Sequence, residues 1–327
     1  MKKYDVAIVG ATGLVGRTFL QVLDERNFPI ENLYLYASAK SAETKVTFAG
    51  KDYSIIELKK ENIKKCDFAL FSAGGDISKQ FAPFFAENGT VVIDNSSAWR
   101  MHEEVPLVVP EVNSNHIANH KGIIANPNCS TIQLMPVLYA INKEAGLEKV
   151  IVSTYQSISG AGQKGLSQLQ EESKGDISSE PTKQIYSNAI FHSASESNPD
   201  WSVEEIKMVN ESRKILSIPD LKFSVTCVRL PIEIGHSESV YVETKENFEL
   251  DNIISAIETM PNIILMNNFS EGVYPTPVIS KDRDEIFVGR IRHDINTKKG
   301  LWFWVVANNV RKGAATNAVQ IAEKIIE

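Results

Sequence analysis

The sequence predicts an α/β protein in two parts: an N-terminal doubly wound parallel sheet, then an α+β domain built on a largely antiparallel sheet. Two observations carry this. Up to about residue 127, short apolar runs alternate with stretches of helical periodicity, the order that lays parallel strands between layers of helices. From Val150 onward the apolar runs lengthen and grow richer in β-branched residues, and helices only punctuate them.

The elements follow in order. Tyr4 to Val9 is an apolar run ending in Gly10-Ala11-Thr12-Gly13-Leu14-Val15-Gly16, after which Phe19, Leu20, Val22 and Leu23 recur at helical spacing: strand, tight turn, helix. Asn27-Phe28-Pro29 stops the helix, and Leu33 to Ala37 completes a βαβ unit. Phe68 to Ser72 and Val91 to Ile93 are further strands, with a helix over Ile77 to Phe85 between them. Gly122 to Asn128 is one more strand and turn. Beyond it come strands at Val150 to Tyr155, Phe223 to Leu230, Ser239 to Lys245, Ile286 to Ile291 and Leu301 to Val306, with helices near 161–174, 202–216 and 250–259. Gly175 to Asp200 is polar and aperiodic, an excursion of the kind that serves as a subunit contact or lid. Gly313 to Ile326 regains helical periodicity. The expected organisation is a first domain over 1–127, a second over 128–311, and a C-terminal helix at about 312–327 that returns to the first.

Composition narrows the function. With 327 residues, 43% hydrophobic and 23% charged, the chain is long enough for two globular domains. A net charge of −7 argues against a nucleic-acid partner, because phosphate backbones need a basic face. Cys66, Cys129 and Cys227 form an odd, widely spaced set that fits neither a disulfide framework nor a metal site and suits a reducing compartment. Met1 to Gly10 runs straight into a strand and lacks the apolar run and cleavage site of a signal peptide. No apolar stretch approaches the ~18 residues of a membrane span. The expectation is a cytoplasmic protein with no membrane partner and no bound metal.

Gly10, Gly13 and Gly16 make a G-x-x-G-x-x-G turn, a variant of the Rossmann-type fingerprint in which glycines let backbone N–H groups approach a pyrophosphate at a helix N-terminus. Gly10, Thr12, Gly13, Leu14 and Val15 are the expected cofactor contacts. A plain strand-to-helix turn is the alternative. At the end of the second strand, where an acidic residue would bind the ribose of NAD, the chain has Tyr36-Ala37-Ser38-Ala39-Lys40-Ser41. Hydroxyls and a lysine at Ser38, Lys40 and Ser41 suit a 2′-phosphate and favour NADP(H), with a solvated loop as the other reading.

Asn126-Pro127-Asn128-Cys129-Ser130-Thr131 follows a strand and precedes the helical pattern Ile132, Leu134, Met135, Leu138. A thiol at a helix N-terminus has its thiolate stabilised by the dipole and the free N–H groups, which makes Cys129 a candidate nucleophile. Pro136 falls inside this pattern as a candidate kink. Cys66, before a buried strand, and Cys227, within one, read as small core residues. The partner that moves protons is expected to be His236, in a Pro231-to-Gly235 break between two strands; His102, His116, His120, His192 and His293 read as surface residues.

Six segments together resemble the aspartate-β-semialdehyde dehydrogenase family: Gly10 to Gly16, Asn126 to Thr131, Tyr155 to Gly162, Cys227 to Arg229, Gly235 to Glu238 and Phe287 to Arg292. The match spans essentially the whole chain in order. The resemblance implies a catalytic and dimerisation role for the second domain. It implies reversible, NADPH-dependent reduction of aspartyl phosphate to aspartate semialdehyde and inorganic phosphate, the branch-point step toward lysine, threonine and methionine. It assigns Cys129 to the acyl-enzyme, His236 to acid/base work, Gln156 to orienting the acyl group, and Arg229 to the substrate carboxylate, for which a planar guanidinium fork is suited. Arg100, Asn128 and Lys207 would hold phosphate and Glu204 the substrate amine. A helix opening on a Ser202/Glu205 capping box puts Glu204 and Lys207 on one face, which by itself reads as a solvated ion pair. Ser159, Gly160 and Asn309 would lie on the cofactor side; Asn308 departs from the family's more usual aspartate. Such enzymes are homodimers or homotetramers. N-acetyl-γ-glutamyl-phosphate reductases share the plan but usually show Gly-Cys-Tyr-Pro at the nucleophile, and phosphorylating dehydrogenases of the glyceraldehyde type fit the cysteine motif less well. A non-catalytic NADP-binding sensor would be expected to lack the cysteine, histidine or arginine, and this chain has all three.

Overall fold

The apolar run Tyr4–Val9 forms strand β1 at the centre of a parallel sheet. The computed structural model describes residues 2–327. After β1 come α1 (Leu14–Glu25), β2 (Ile30–Ala37), a hairpin of β3 (Lys45–Phe48) and β4 (Lys51–Ser54), β5 (Ile56–Glu57), β6 (Phe68–Phe71), α2 (Gly75–Glu87), β7 (Val91–Asp94), α3 (Pro110–Asn113) and β8 (Ile123–Ala125). The next stretch holds α4 (Cys129–Ala145), β9 (Leu147–Gln156), α5 (Gly162–Glu172), β10 (Ile190–Phe191), α6 (Val203–Leu216), β11 (Lys222–Arg229), β12 (His236–Thr244), α7 (Leu250–Glu258), β13 (Ile263–Leu265), β14 (Ile286–His293) and β15 (Gly300–Ala307). A π-helical turn over Arg311–Thr316 leads into α8 (Asn317–Ile326). The chain divides into two units, Met1–Asn128 with Ala314–Glu327, and Cys129–Gly313.

In the first unit the strand order is β5-β2-β1-β6-β7-β8, every pairing parallel. The order reverses between β1 and β6, the switch point at which doubly wound sheets open a crevice beyond their strand ends. Phe19, Val22 and Leu23 of α1 pack with Val6, Ile8 and Leu35 in a core that also takes Val319, Ile321 and Ala322 of α8. Asn317 fixes α8 here, its amide donating to the carbonyl of Val108 at 3.0 Å and to Asn126 Oδ1 at 2.7 Å.

The second unit is a seven-stranded mixed sheet in the order β10-β11-β9-β12-β15-β14-β13. It is antiparallel except at β11/β9 and β13/β14. Side chains alternate across it. On one face Val150, Val152, Val240, Val242, Phe303 and Val305 are buried against α4, α6 and α7. On the other face Ile151, Tyr155, Trp302 and Trp304 stay partly open, Tyr155 resting on Trp304 and Tyr241 on Trp302. Helix α4 runs unbroken through Pro136. An interior proline costs ~3 kcal/mol, and burial of every side chain from Ser130 to Leu138 outweighs that loss.

The polar excursion after α5 is tethered from beneath. Buried Glu172 accepts the backbone N–H groups of Ile185 and Tyr186, both at 2.7 Å, while Ile185 packs with Ile158 and Leu169. The segment then adds β10 to the sheet edge beside β11.

Candidate active site

Cys129 opens α4, so its sulfur sits at the positive end of a helix as the sequence led one to expect. Its Sγ lies 3.2 Å from Nε2 of His236, the first residue of β12. Space around the thiol is kept by Gly313, where a Cβ would stand 2.9 Å from that of Cys129. His236 is fully buried, and burial, reinforced by the nearby Arg229 charge, pushes its pKa down to about 3. Burial thus favours the neutral imidazole.

Behind the ring, Ser157 donates its backbone N–H to Nδ1 at 3.0 Å and brings its hydroxyl to 3.1 Å. The same hydroxyl lies 3.0 Å from Ser159 Oγ and 3.0 Å from Asn309 Oδ1. Asn309 Oδ1 also accepts the N–H of Gly235 at 2.9 Å, and its Nδ2 donates to Ser159 at 3.0 Å. Asn309 thereby ties together the turn after β9 and the turn before β12. Gly160 clears the way for Arg229, whose Nη1 would lie 2.8 Å from any Cβ there and which donates to the Ser157 carbonyl at 3.2 Å.

A second set of polar residues converges on Gln156 at the end of β9. Its Nε2 donates to Glu204 at 3.0 Å, and Glu204 also meets Lys207 at 3.2 Å. The capping box is present: Ser202 accepts from the N–H of Glu205, whose carboxylate accepts from the N–H of Ser202 at 2.7 Å and of Cys227 at 3.0 Å. Glu205 therefore pins α6 to β11 and sets the height of Glu204.

Of the five histidines expected at the surface only His102 is exposed; His116, His120 and His293 are half-buried, and His192 reaches the site. His192 is half-buried rather than a surface residue, with Nε2 2.8 Å from Gln156 Oε1. Burial lowers its pKa to about 4 despite the neighbouring Glu204. It reaches the site because β10 pairs with β11, and its polar neighbours Ser193 and Ser195 gave no hint of that.

Under the pair lies Glu238, two residues beyond His236 on the same face of β12 and fully buried. Burial holds its carboxyl well above the usual carboxylate range, and Gln133 is the side chain that reaches it. Gln133 stands one turn along α4 from Cys129 and donates to the His236 carbonyl at 3.5 Å. Cys66 and Cys227 are buried, and burial pushes both thiols up, Cys66 to about 11.

In the first unit the glycine turn crosses the switch point. Gly10 has φ +89° and a Cβ there would sit 2.9 Å from the Ser72 carbonyl; at Gly16 a Cβ would strike the Gly10 oxygen at 2.1 Å. These cradles admit backbone and nothing else. Thr12, Gly13, Leu14 and Val15 line the exposed or half-exposed rim where α1 begins, with no acidic residue in its first turn to repel an anion. Ser38 caps a short 3-10 turn over Ala39–Ser41, so Ser38, Lys40 and Ser41 share one loop at the end of β2, bound to the glycine turn through the Gly10 N–H and Tyr36 carbonyl at 2.9 Å. Arg100 is buried, donating to the carbonyls of Asn126 at 3.0 Å and Asn95 at 2.7 Å, and Asn128 is buried nearby in sequence.

The profile of the semialdehyde dehydrogenase NAD-binding domain matches residues 5–120, and that of the semialdehyde dehydrogenase dimerisation domain matches 138–312. The chain is 50% identical to aspartate-semialdehyde dehydrogenase of Aquifex aeolicus, over 99% of this chain and 98% of that one. The chain belongs to the aspartate-semialdehyde dehydrogenase family. With the Bacillus subtilis member it shares 45% identity over 98% of this chain and 96% of the other. The crystal structure of aspartate semialdehyde dehydrogenase II from Vibrio cholerae, complexed with ASA, superposes with a TM-score of 0.92 at 41% identity, covering 100% of this chain and 99% of that one. Membership in the family makes the chain an oxidoreductase of amino-acid biosynthesis with an NAD(P)-binding domain of Rossmann type.

Proposed function

We propose that the chain reduces L-aspartyl 4-phosphate to L-aspartate 4-semialdehyde and inorganic phosphate, reversibly and with NADPH, on the route to lysine, threonine and methionine. The observation that carries this reading is the Cys129–His236 pair at 3.2 Å on the N-terminus of α4. The Cys129 thiolate attacks the acyl carbon; the C–S bond forms as the C–O bond to phosphate breaks, and phosphate leaves. NADPH, when bound, supplies hydride to the acyl carbon. Collapse of the resulting tetrahedral species breaks the C–S bond, releases the aldehyde and returns the thiolate. His236 is the acid/base group of the cycle. Gln156, held at both ends by His192 and Glu204, orients the acyl group. Arg229 binds the α-carboxylate, Glu204 meets the amine, and Arg100, Asn128 and Lys207 receive the phosphate.

The glycine turn at the start of α1 suits a pyrophosphate, and Ser38, Lys40 and Ser41 suit a 2′-phosphate, which favours NADP over NAD. Ser159, Gly160 and Asn309 lie on the nicotinamide side. The half-open aromatic face of the second unit is the surface for a homodimer or homotetramer, in keeping with the dimerisation domain of the family. The compartment is the cytoplasm.

Absorbance of NADPH, followed with aspartate semialdehyde, NADP and inorganic phosphate, tests the reading. NADPH is expected to accumulate only when phosphate is present. Production from N-acetylglutamate semialdehyde and not from this aldehyde would transfer the chain to the related reductases.

A further inference from the structure

The fixed donors around His236 settle where its single proton resides. The backbone N–H of Ser157 points into Nδ1 at 3.0 Å, and unlike a hydroxyl it cannot turn to accept. The Ser157 hydroxyl has two other neighbours, Ser159 Oγ and Asn309 Oδ1, but whichever it selects, the N–H already occupies the Nδ1 lone pair. Turning the ring over would set carbon atoms against both Ser157 N–H and Cys129 Sγ and forfeit both contacts. An imidazolium would aim a second N–H at that of Ser157, inside a fully buried pocket beside Arg229.

We propose that Ser157 is a positioning residue that holds His236 as the Nε2–H tautomer, so that His236 meets Cys129 as a hydrogen-bond donor and not as the base that removes its proton. This rests on the reading of Cys129 as the acyl carrier. The thiol proton then passes to water before attack, and the resulting thiolate is stabilised by the helix terminus and by the Nε2–H at 3.2 Å. The Nε2 proton stays available for the oxygen of the acyl group, where negative charge develops once sulfur has bonded to carbon. The Asn309 amide, oriented by the Gly235 N–H, keeps the turn carrying Ser157 in register with the strand carrying His236.

Nitrogen-15 spectra of the full chain, labelled at histidine, read the tautomer directly, with His236 assigned from the signals lost in His236→Gln. The expected spectrum has a protonated Nε2 and a bare Nδ1 from pH 8 down to pH 5, both in the wild type and in Ser157→Ala, which keeps the backbone N–H. A bare Nε2, or protonation of both nitrogens in that interval, overturns the proposal; so does a change of tautomer in Ser157→Ala, which would give control to the hydroxyl. The spectra need no substrate, so phosphate-dependent turnover of the same samples reports separately on the proposed function.

Discussion

Lowering the pH should destabilise the protein through His236 in a way that a single substitution removes. An unfolded histidine titrates near ~6.5, whereas burial holds His236 at about 3. The folded value is depressed, so the neutral form is the one the fold favours. Its contribution is complete above the unfolded pKa and is lost as pH falls from there toward about 3. At pH 7.5 the loss is under ~0.1 kcal/mol; at pH 4.5 the unfolded ring is almost wholly charged and the folded ring almost wholly neutral, a difference of about 3 kcal/mol. His236→Gln keeps an acceptor for the Ser157 N–H and does not titrate. Urea unfolding of both proteins at pH 7.5, 6.0 and 4.5 compares them, since groups remote from His236 titrate alike in the two. The wild type should lose about 3 kcal/mol more than the variant over this interval. Parallel losses would refute the reasoning and mean that the folded ring takes up its proton as readily as the unfolded one.

Three further outcomes are expected. Cys129→Ala should retain NADPH binding by fluorescence titration while turnover falls to background, because the glycine turn and the nucleophile serve separate tasks; residual turnover above background would end the covalent mechanism. His192→Ala removes the donor to Gln156 Oε1, worth ~1 kcal/mol, and should lower kcat/KM about fivefold, with His192→Gln recovering most of it; equal losses in the two would show that bulk rather than the hydrogen bond matters. Glu238→Gln should be more stable than the wild type in urea at pH 8 and equal to it near pH 4. The raised pKa of Glu238 means that its favourable protonated form is kept below the unfolded pKa and its stability contribution is lost as pH rises through the folded one. A less stable variant at pH 8 would mean that the carboxylate is ionised and partnered.

Much of the fold is legible wherever a segment's own pattern decides it. The apolar runs of β1, β6 and β7 are short and bounded, and Asn27-Phe28-Pro29 closes α1 in both views. The β3/β4 hairpin is hard to read from the sequence because its alternation is short, Val46 and Phe48 alternating with Lys45 and Thr47, and its second strand is mostly polar. β10 and β13 span two and three residues and exist only through their neighbours β11 and β14. The parallel pairing of β9 with β11 is likewise invisible, because α5, the excursion and α6 intervene. At the site, Cys129 announces itself locally, as a thiol between a strand and a helix. Ser157, His192 and Glu238 do not: their surroundings are set by a turn, a sheet-edge pairing and a central strand position, all of which depend on distant chain.

Strand β12 carries two kinds of residue in alternation. His236 and Glu238 turn toward α4, while Ser239 and Tyr241 lie on the face with Trp304 and Trp302. Substitution at any one of these positions alters one face at a time. Insertion or deletion of a single residue would do something different in kind, because a slip of one position sends every side chain beyond it to the opposite face. The His236 side and the aromatic side would be exchanged together. Change in chain length through evolution or engineering is therefore confined to the connections outside the strands, such as residues 294–299 between β14 and β15, where Ile295 is 97% exposed. There the protein can grow or shrink without passing through a form that has lost both surfaces at once.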